Sequence, residues 1–224
     1  MKNIVGKVVV LGSQGVGKTS IIVRYVENVV NRPINPTIGA CFFTCKLNIA
    51  DTEVKLQVWD TAGEERFKSM APMYYRNANA AMLVFDVTRY NSFTAIKNWV
   101  NELKRNVEEQ MVLTVIGNKS DLTNEREVDP EEGRCYANKI GASYHETSVI
   151  YNDGIEKVFL AIANGLIRLN AGNNADTTTS SALRITDSND FEFNGSGMLL
   201  RPTEENAQNP NIALGINEKI HTCC

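Results

Sequence analysis

A glycine-rich run, Gly12-Ser13-Gln14-Gly15-Val16-Gly17-Lys18-Thr19, lies between the apolar run Val8–Leu11 and an apolar-periodic segment from Lys18 to Val29. It fits G-x-x-x-x-G-K-[ST] in the one context where that pattern has a mechanism, after a strand and opening a helix. Glycines let backbone N–H groups wrap phosphate oxygens, and the helix N-terminus adds favourable partial charge. The residues expected to cradle phosphate are therefore Gly15, Val16, Gly17, Lys18, Thr19 and Ser20. Lys18 is suited to β- and γ-phosphates, and the Thr19 hydroxyl to a Mg²⁺ ion bound with them.

The rest of the chain alternates in the same way. Strand patterns fall at Val5–Leu11, Cys41–Ile49, Glu53–Trp59, Ala81–Asp86, Val112–Gly117 and Ser143–Glu146. Helical patterns fall at Lys18–Val29, Arg66–Arg76, Ser92–Val107, Pro130–Ile140 and Ile155–Leu169. Such alternation predicts an α/β fold with a six-stranded, mainly parallel sheet and helices on both faces. Only Ala50-Asp51-Thr52 separates the second and third strands, so these form a hairpin and give one antiparallel edge strand.

Composition shifts near residue 170. Beyond it come AGNNADTTTSSALRITDSND and similar polar sequence, with three basic and seven acidic residues, against 20 basic and 19 acidic before it. This predicts a domain over 1–169 and a flexible tail over 170–222 that buries too little to offset its ordering entropy. Two apolar patches in the tail, 198–200 and 212–216, are candidates for docking on binding, or scattered apolar residues in a coil. The overall charge of −3 gives no basic field for a nucleic-acid partner. Five scattered cysteines do not read as a disulfide framework, and Cys41, Cys45 and Cys135 read as space-filling. The apolar run Val8–Leu11 is too short for a signal-peptide core, and no stretch approaches a membrane span. A cytosolic protein is expected, with any membrane contact made by other means.

Which nucleotide is addressed by Asn118-Lys119-Ser120-Asp121, at the end of the fifth strand. A carboxylate there can accept from both N1–H and the exocyclic amine of guanine, whereas adenine would leave it unpaired. Asn118, Lys119 and Asp121 are therefore base-site candidates, with GTP or GDP as the bound nucleotide. Asp60-Thr61-Ala62-Gly63 follows the third strand: Asp60 suits a Mg²⁺ contact, and the Gly63 amide can approach a γ-phosphate. Thr37 is a second hydroxyl for Mg²⁺. Loops held by γ-phosphate and released on hydrolysis make a two-state switch.

Taken together these residues resemble a Ras-superfamily small GTPase, specifically a Rab. The resemblance spans 5–169 and the final cysteines. It rests on Ile38-Gly39-Ala40-Cys41-Phe42, Lys55–Trp59, Glu65-Arg66-Phe67, Tyr74-Tyr75-Arg76 and Leu83–Thr88, with the segments TIGACF and MAPMYYR most like the early-endosomal branch. It implies the P-loop GTPase fold, and an effector surface built on Ile38, Phe42, Trp59 and Tyr74; these aromatics also read as core. It implies effectors, an exchange factor, a GAP, a GDI-type carrier and a prenylation escort protein as partners. A further implication is Cys223 and Cys224 as a site for two geranylgeranyl groups, with no help from the acidic tail in membrane binding. The expected location is the cytoplasmic face of an endosomal membrane, with a cytosolic pool.

Some positions depart from the family. Glu64 stands where Gln usually orients the attacking water; it lacks the amide donor and brings negative charge towards γ-phosphate. Glu64, Lys18 and Gly63 are the catalytic candidates, with slow intrinsic hydrolysis expected unless Glu64 swings to solvent and a GAP supplies the missing group. Gln14 reads as neutral. In the base pocket Ser148-Val149-Ile150 replaces Ser-Ala-Lys, and Val30 replaces an aromatic, which predicts faster nucleotide exchange unless Ile150 and Tyr25 compensate. Two readings besides a cycling switch stay open: a GTP-loaded scaffold or tether that cycles little, and a P-loop kinase acting on a small molecule.

Overall fold

In the computed structural model, residues 2–29, 35–64, 70–107, 109–173 and 220–223 are described. The strands are β1 (Lys2–Leu11), β2 (Ala40–Ile49), β3 (Thr52–Thr61), β4 (Ala80–Asp86), β5 (Val112–Asn118), β6 (Ser143–Thr147) and β7 (Ile220–Cys223). The helices are α1 (Lys18–Glu27), α2 (Ala71–Tyr75), α3 (Tyr90–Asn106), α4 (Pro130–Lys139) and α5 (Ile155–Asn173). Spatial order across the sheet is β6-β5-β4-β1-β3-β2-β7. β1 pairs in parallel with β3 and β4, as does β5 with β4 and β6, while β2 and β3 are antiparallel.

The six expected strands and the hairpin are all present. The hairpin turns at Ala50, whose φ of 49° is left-handed. β7 is an addition: it pairs antiparallel with β2, so β2 is flanked on both sides. The tail patches at 198–200 and 212–216 lie outside the described residues; among those described, 220–223 of the tail meets the domain. α5 continues to Asn173, past the composition shift at 170.

Alternation on the strands explains the two layers. On β1, Val8 and Val10 face α1 and α5, where Ile21, Ile22, Phe159 and Ile162 complete one core. Val9 and Leu11 face the other way, into a second core with Phe85, Phe93, Ile96 and Val100 against α2, α3 and α4. β4 is covered on both faces and is buried throughout. β2 and β3 are covered on one face only, so Phe43, Cys45, Val54, Leu56 and Val58 are buried while their alternate neighbours are half exposed. Cys45 fills core space as expected; Cys135 does not, being exposed on α4. Among the described residues no helix is long and apolar enough to cross a membrane.

α1 matters most to the site, because its first turn carries Lys18 and Thr19. It is held to α5 by Tyr25 and Phe159, whose rings stack with centroids 3.8 Å apart and planes within 6°. Phe159 is fully buried. Phe159→Ala is expected to cost about 3–5 kcal/mol of stability, as truncation of a buried aromatic does. The check is a lowered urea midpoint with an unchanged denaturant slope.

Candidate functional site

The phosphate-loop candidates lie between β1 and α1, where Gly15 (φ 74°) and Gly17 (φ 97°) adopt left-handed backbone. Gly17 has a second constraint: a Cβ there would come 2.2 Å from the side-chain nitrogen of Asn118. That amide donates to the Val16 carbonyl at 2.8 Å, and its oxygen accepts from the Thr147 hydroxyl at 3.0 Å. Asn118 is buried, so one side chain ties the glycine loop, the end of β5 and the end of β6 together.

Lys18 folds back over the loop. Its Nζ donates to the carbonyls of Gly12 at 2.9 Å and Ser13 at 3.0 Å. Burial pushes its ammonium down to about 8, against the pull of the Asp60 charge. The loop is closed on its other side by Gly63, where a Cβ would lie 2.5 Å from both Lys18 Nζ and the Gln14 nitrogen. Gly63 thus packs directly against the glycine loop and the Lys18 ammonium, with no room for a side chain.

Thr19, Thr37 and Asp60 come from three different parts of the chain and converge. The Thr19 hydroxyl donates to Asp60 Oδ2 at 2.6 Å, the Thr37 hydroxyl reaches the same oxygen at 3.3 Å, and the two hydroxyls are 2.9 Å apart. Asp60 is fully buried, and its Oδ1 is buried with no hydrogen-bond partner. Burial pushes its carboxyl up despite the hydrogen bond from Thr19, the charge of Lys18 and the hydrogen bond from Thr37. An unpaired buried carboxylate oxygen beside two hydroxyls fits a small hard cation. Among the described residues there is no group of three or more His, Cys, Asp or Glu that could hold a metal. The donor set of one carboxylate and two hydroxyls is of the kind that fits Mg²⁺, which takes few protein ligands.

At the base end, Asn118 is followed by Lys119 at a left-handed φ of 67°. Lys119 Nζ contacts Asp86 Oδ2 at 2.6 Å, and Asp86 also accepts from the Thr88 amide, the Thr88 hydroxyl and Arg89 Nε. Burial pushes the Asp86 carboxyl up, but the hydrogen bonds from Lys119 and Thr88 outweigh it and hold it below the usual range. The 148–150 loop is fixed by paired backbone hydrogen bonds between Ser148 and Asp153, 3.1 and 3.0 Å, and by the Tyr151 amide on the Ser148 hydroxyl. It begins after Thr147, whose carbonyl accepts from the Ser120 amide. Ser148 is buried and Val149 packs on the core beneath, while Ile150 stands 60% exposed. Val30 lies outside the described residues.

Glu64 sits at the rim, its carboxylate accepting from the Gln14 side-chain amide at 3.4 Å. Gln14 thus meets Glu64 at the rim. Arg89 also touches the loop, donating to the Gln14 carbonyl at 3.1 Å. Arg89, Asp86 and the bracing role of Asn118 escape sequence reasoning; the only available signal was the proximity of Arg89 and Asp86 within one strand end.

Away from the cleft, Phe42 and Trp59 meet edge-on at 5.2 Å, and Trp59 and Tyr74 at 6.1 Å. All three are half buried, and Ile38 beside them is 74% exposed. They form a surface cluster on the open face of the β2–β3 hairpin, with Tyr74 also packed against the second core.

Comparison with known proteins agrees with this geometry. The Ras family model matches residues 7–168. The chain is 46% identical over 161 residues to the Ras-related protein RabJ of Dictyostelium discoideum, covering 72% of this chain and 63% of that protein. It is 47% identical over 161 residues to the Ras-related protein Rab-21 of Mus musculus, and 46% to that of Homo sapiens, each covering 72% of both chains. A Ras family model over most of the domain and Rab relatives at 46–47% identity agree with the mainly parallel sheet and its glycine loop: the chain belongs to the Ras family of small GTPases, in its Rab branch.

Proposed function

We propose that the chain is a GTP-operated switch of membrane trafficking whose on-state is read at the Thr37 and Gly63 loops. The observation that carries this reading is the meeting of Thr19, Thr37 and Asp60 below the phosphate loop. Backbone amides from Gly15 to Ser20 hold the phosphates, and Lys18 exchanges its two carbonyl partners for phosphate oxygens. Asp121 reads guanine, Lys119 and Ile150 cover the ring, and Ser148 and Val149 set the height of that cover. Thr19, Thr37 and Asp60 would hold Mg²⁺, which when bound would supply positive charge beside the phosphates. Loss of the γ-phosphate frees Thr37 and Gly63, and the adjacent Ile38, Phe42, Trp59 and Tyr74 cluster then changes what it presents to effectors.

The remaining cycle follows the Rab pattern: an exchange factor, a GAP, a GDI-type carrier, a prenylation escort, and lipids on Cys223 and Cys224. The membrane is endosomal and its cytoplasmic face is the one served. A carboxylate at position 64, already engaged with Gln14, cannot donate to the transition state and gives slow intrinsic turnover. This favours, as a second reading, a GTP-loaded tether that cycles little.

Two measurements test these assignments. Guanine nucleotides are expected to bind and adenine nucleotides not, and Asp121→Ala to abolish the preference. In single-turnover GTP hydrolysis Glu64→Gln is expected to run about tenfold or more faster than the natural chain; equal rates, both ordinary for a small GTPase, would leave a conventional switch and remove the tether.

The depressed Lys18 gives a prediction of definite sign for the nucleotide-free domain. In the unfolded chain Lys18 keeps its proton up to its ordinary value near 10.5, whereas in the folded chain it loses it near 8. Between these limits the unfolded state binds more protons, so stability rises with pH. From pH 8 to pH 10 the natural chain is expected to gain about 2 kcal/mol relative to Lys18→Met, measured by urea unfolding at each pH.

A further inference from the structure

β7 lies apart from the chemistry above. Residues Ile220 to Cys223 pair antiparallel with Thr44 to Cys41, in the register Cys41↔Cys223, Phe42↔Thr222, Phe43↔His221 and Thr44↔Ile220. We propose that the outer edge of β2 is a strand-addition site, and that the chain's own 220–223 segment is its resident occupant. A partner adding a strand at Cys41–Thr44 must then displace it.

Three observations support the assignment. An uncovered β2 would present a row of backbone N–H and C=O groups beside the exposed Ile38, a template for any extended segment. β7 satisfies that row over the stretch holding Phe42, one of the surface aromatics. Reach is sufficient: 46 residues separate Asn173 from Ile220, a contour of up to about 150 Å, several times the width of a domain this size. Affinity is also self-limiting. A four-residue strand makes few hydrogen bonds, each of modest net worth, so docking depends on its being joined to the domain it meets. Such a contact forms in cis and yields to a longer partner strand.

The register ties this edge to the cysteines. With β7 in place, Cys223 sits opposite Cys41, at the end of β2 next to Gly39. If Cys223 and Cys224 carry lipid, which rests on the Rab reading, a docked β7 holds the backbone that bears Cys223 at the edge of β2, opposite Cys41. Docking at β2 and free reach to a distant membrane exclude one another.

The test uses the full chain, unlipidated and loaded with GDP. Hydrogen exchange at Cys41–Thr44 is expected to be at least about threefold faster in a His221→Pro, Thr222→Pro variant than in the natural chain. Exchange across β4 should be unchanged, which confirms that the variant is folded. Independently, a Cys224→Ser chain is oxidised with copper–phenanthroline and oxygen, which take the two electrons and two protons released as two thiols join. Opposed residues of an antiparallel pair have Cα atoms within disulfide range, so Cys223 is expected to link to Cys41. An unattached tail would favour the exposed Cys135 over the half-buried Cys41. Equal exchange in both chains, or linkage to Cys135 as readily as to Cys41, overturns the assignment.

Discussion

One buried amide, the side chain of Asn118, is what makes the cleft a single object. It donates to the glycine loop and accepts from β6, so the phosphate end and the base end cannot move independently. A buried polar group with both its partners in place is stabilising, but with one removed it carries the full cost of desolvation. Gly17 shares the constraint, because the amide occupies the space any side chain there would need. Charge then builds outward from this brace: Lys18 on the loop side, Asp86 and Lys119 on the base side, and Asp60 below.

The parts of the site legible in the sequence are those whose chemistry is local. The glycine loop, Asn118–Asp121 and Asp60–Gly63 each carry their own meaning within a few residues and each follows a strand. The hairpin was legible because Ala50-Asp51-Thr52 leaves no room for a crossover. What escaped depends on contacts across long stretches of chain: Asn118 with Val16 is 102 residues apart, and Arg89 with Gln14 is 75. No periodicity or spacing encodes such pairs. The same holds for β7, whose four residues show no pattern of their own and acquire structure only from the edge they meet. The contact of Gln14 with Glu64, 50 residues on, is of the same kind.

The two halves of the sheet divide the labour. β4 is sealed on both faces and gives the cleft a rigid floor, while the β2–β3 hairpin is covered on one face only. The uncovered face keeps Phe42, Trp59 and Tyr74 in mutual contact at the surface, close in the chain to Thr37 and Asp60. The place where Thr37 meets Asp60 is therefore close in the chain to this aromatic patch, through Ile38 on one side and Thr61 on the other. Thr61 itself, the last residue of β3, is anchored to the Val10 carbonyl at 2.6 Å.

Lys119 is not glycine or asparagine, yet it holds a left-handed backbone at φ 67°. Such a conformation costs of order 1 kcal/mol or more and persists only where its surroundings over-determine it. Here the surroundings are Asn118 on one side and Asp86 on the other. A chain selected for thermal endurance alone would place an achiral or amide residue at this turn and lose the ammonium. Lysine at this turn trades backbone ease for the ammonium's contact with the buried Asp86 carboxylate.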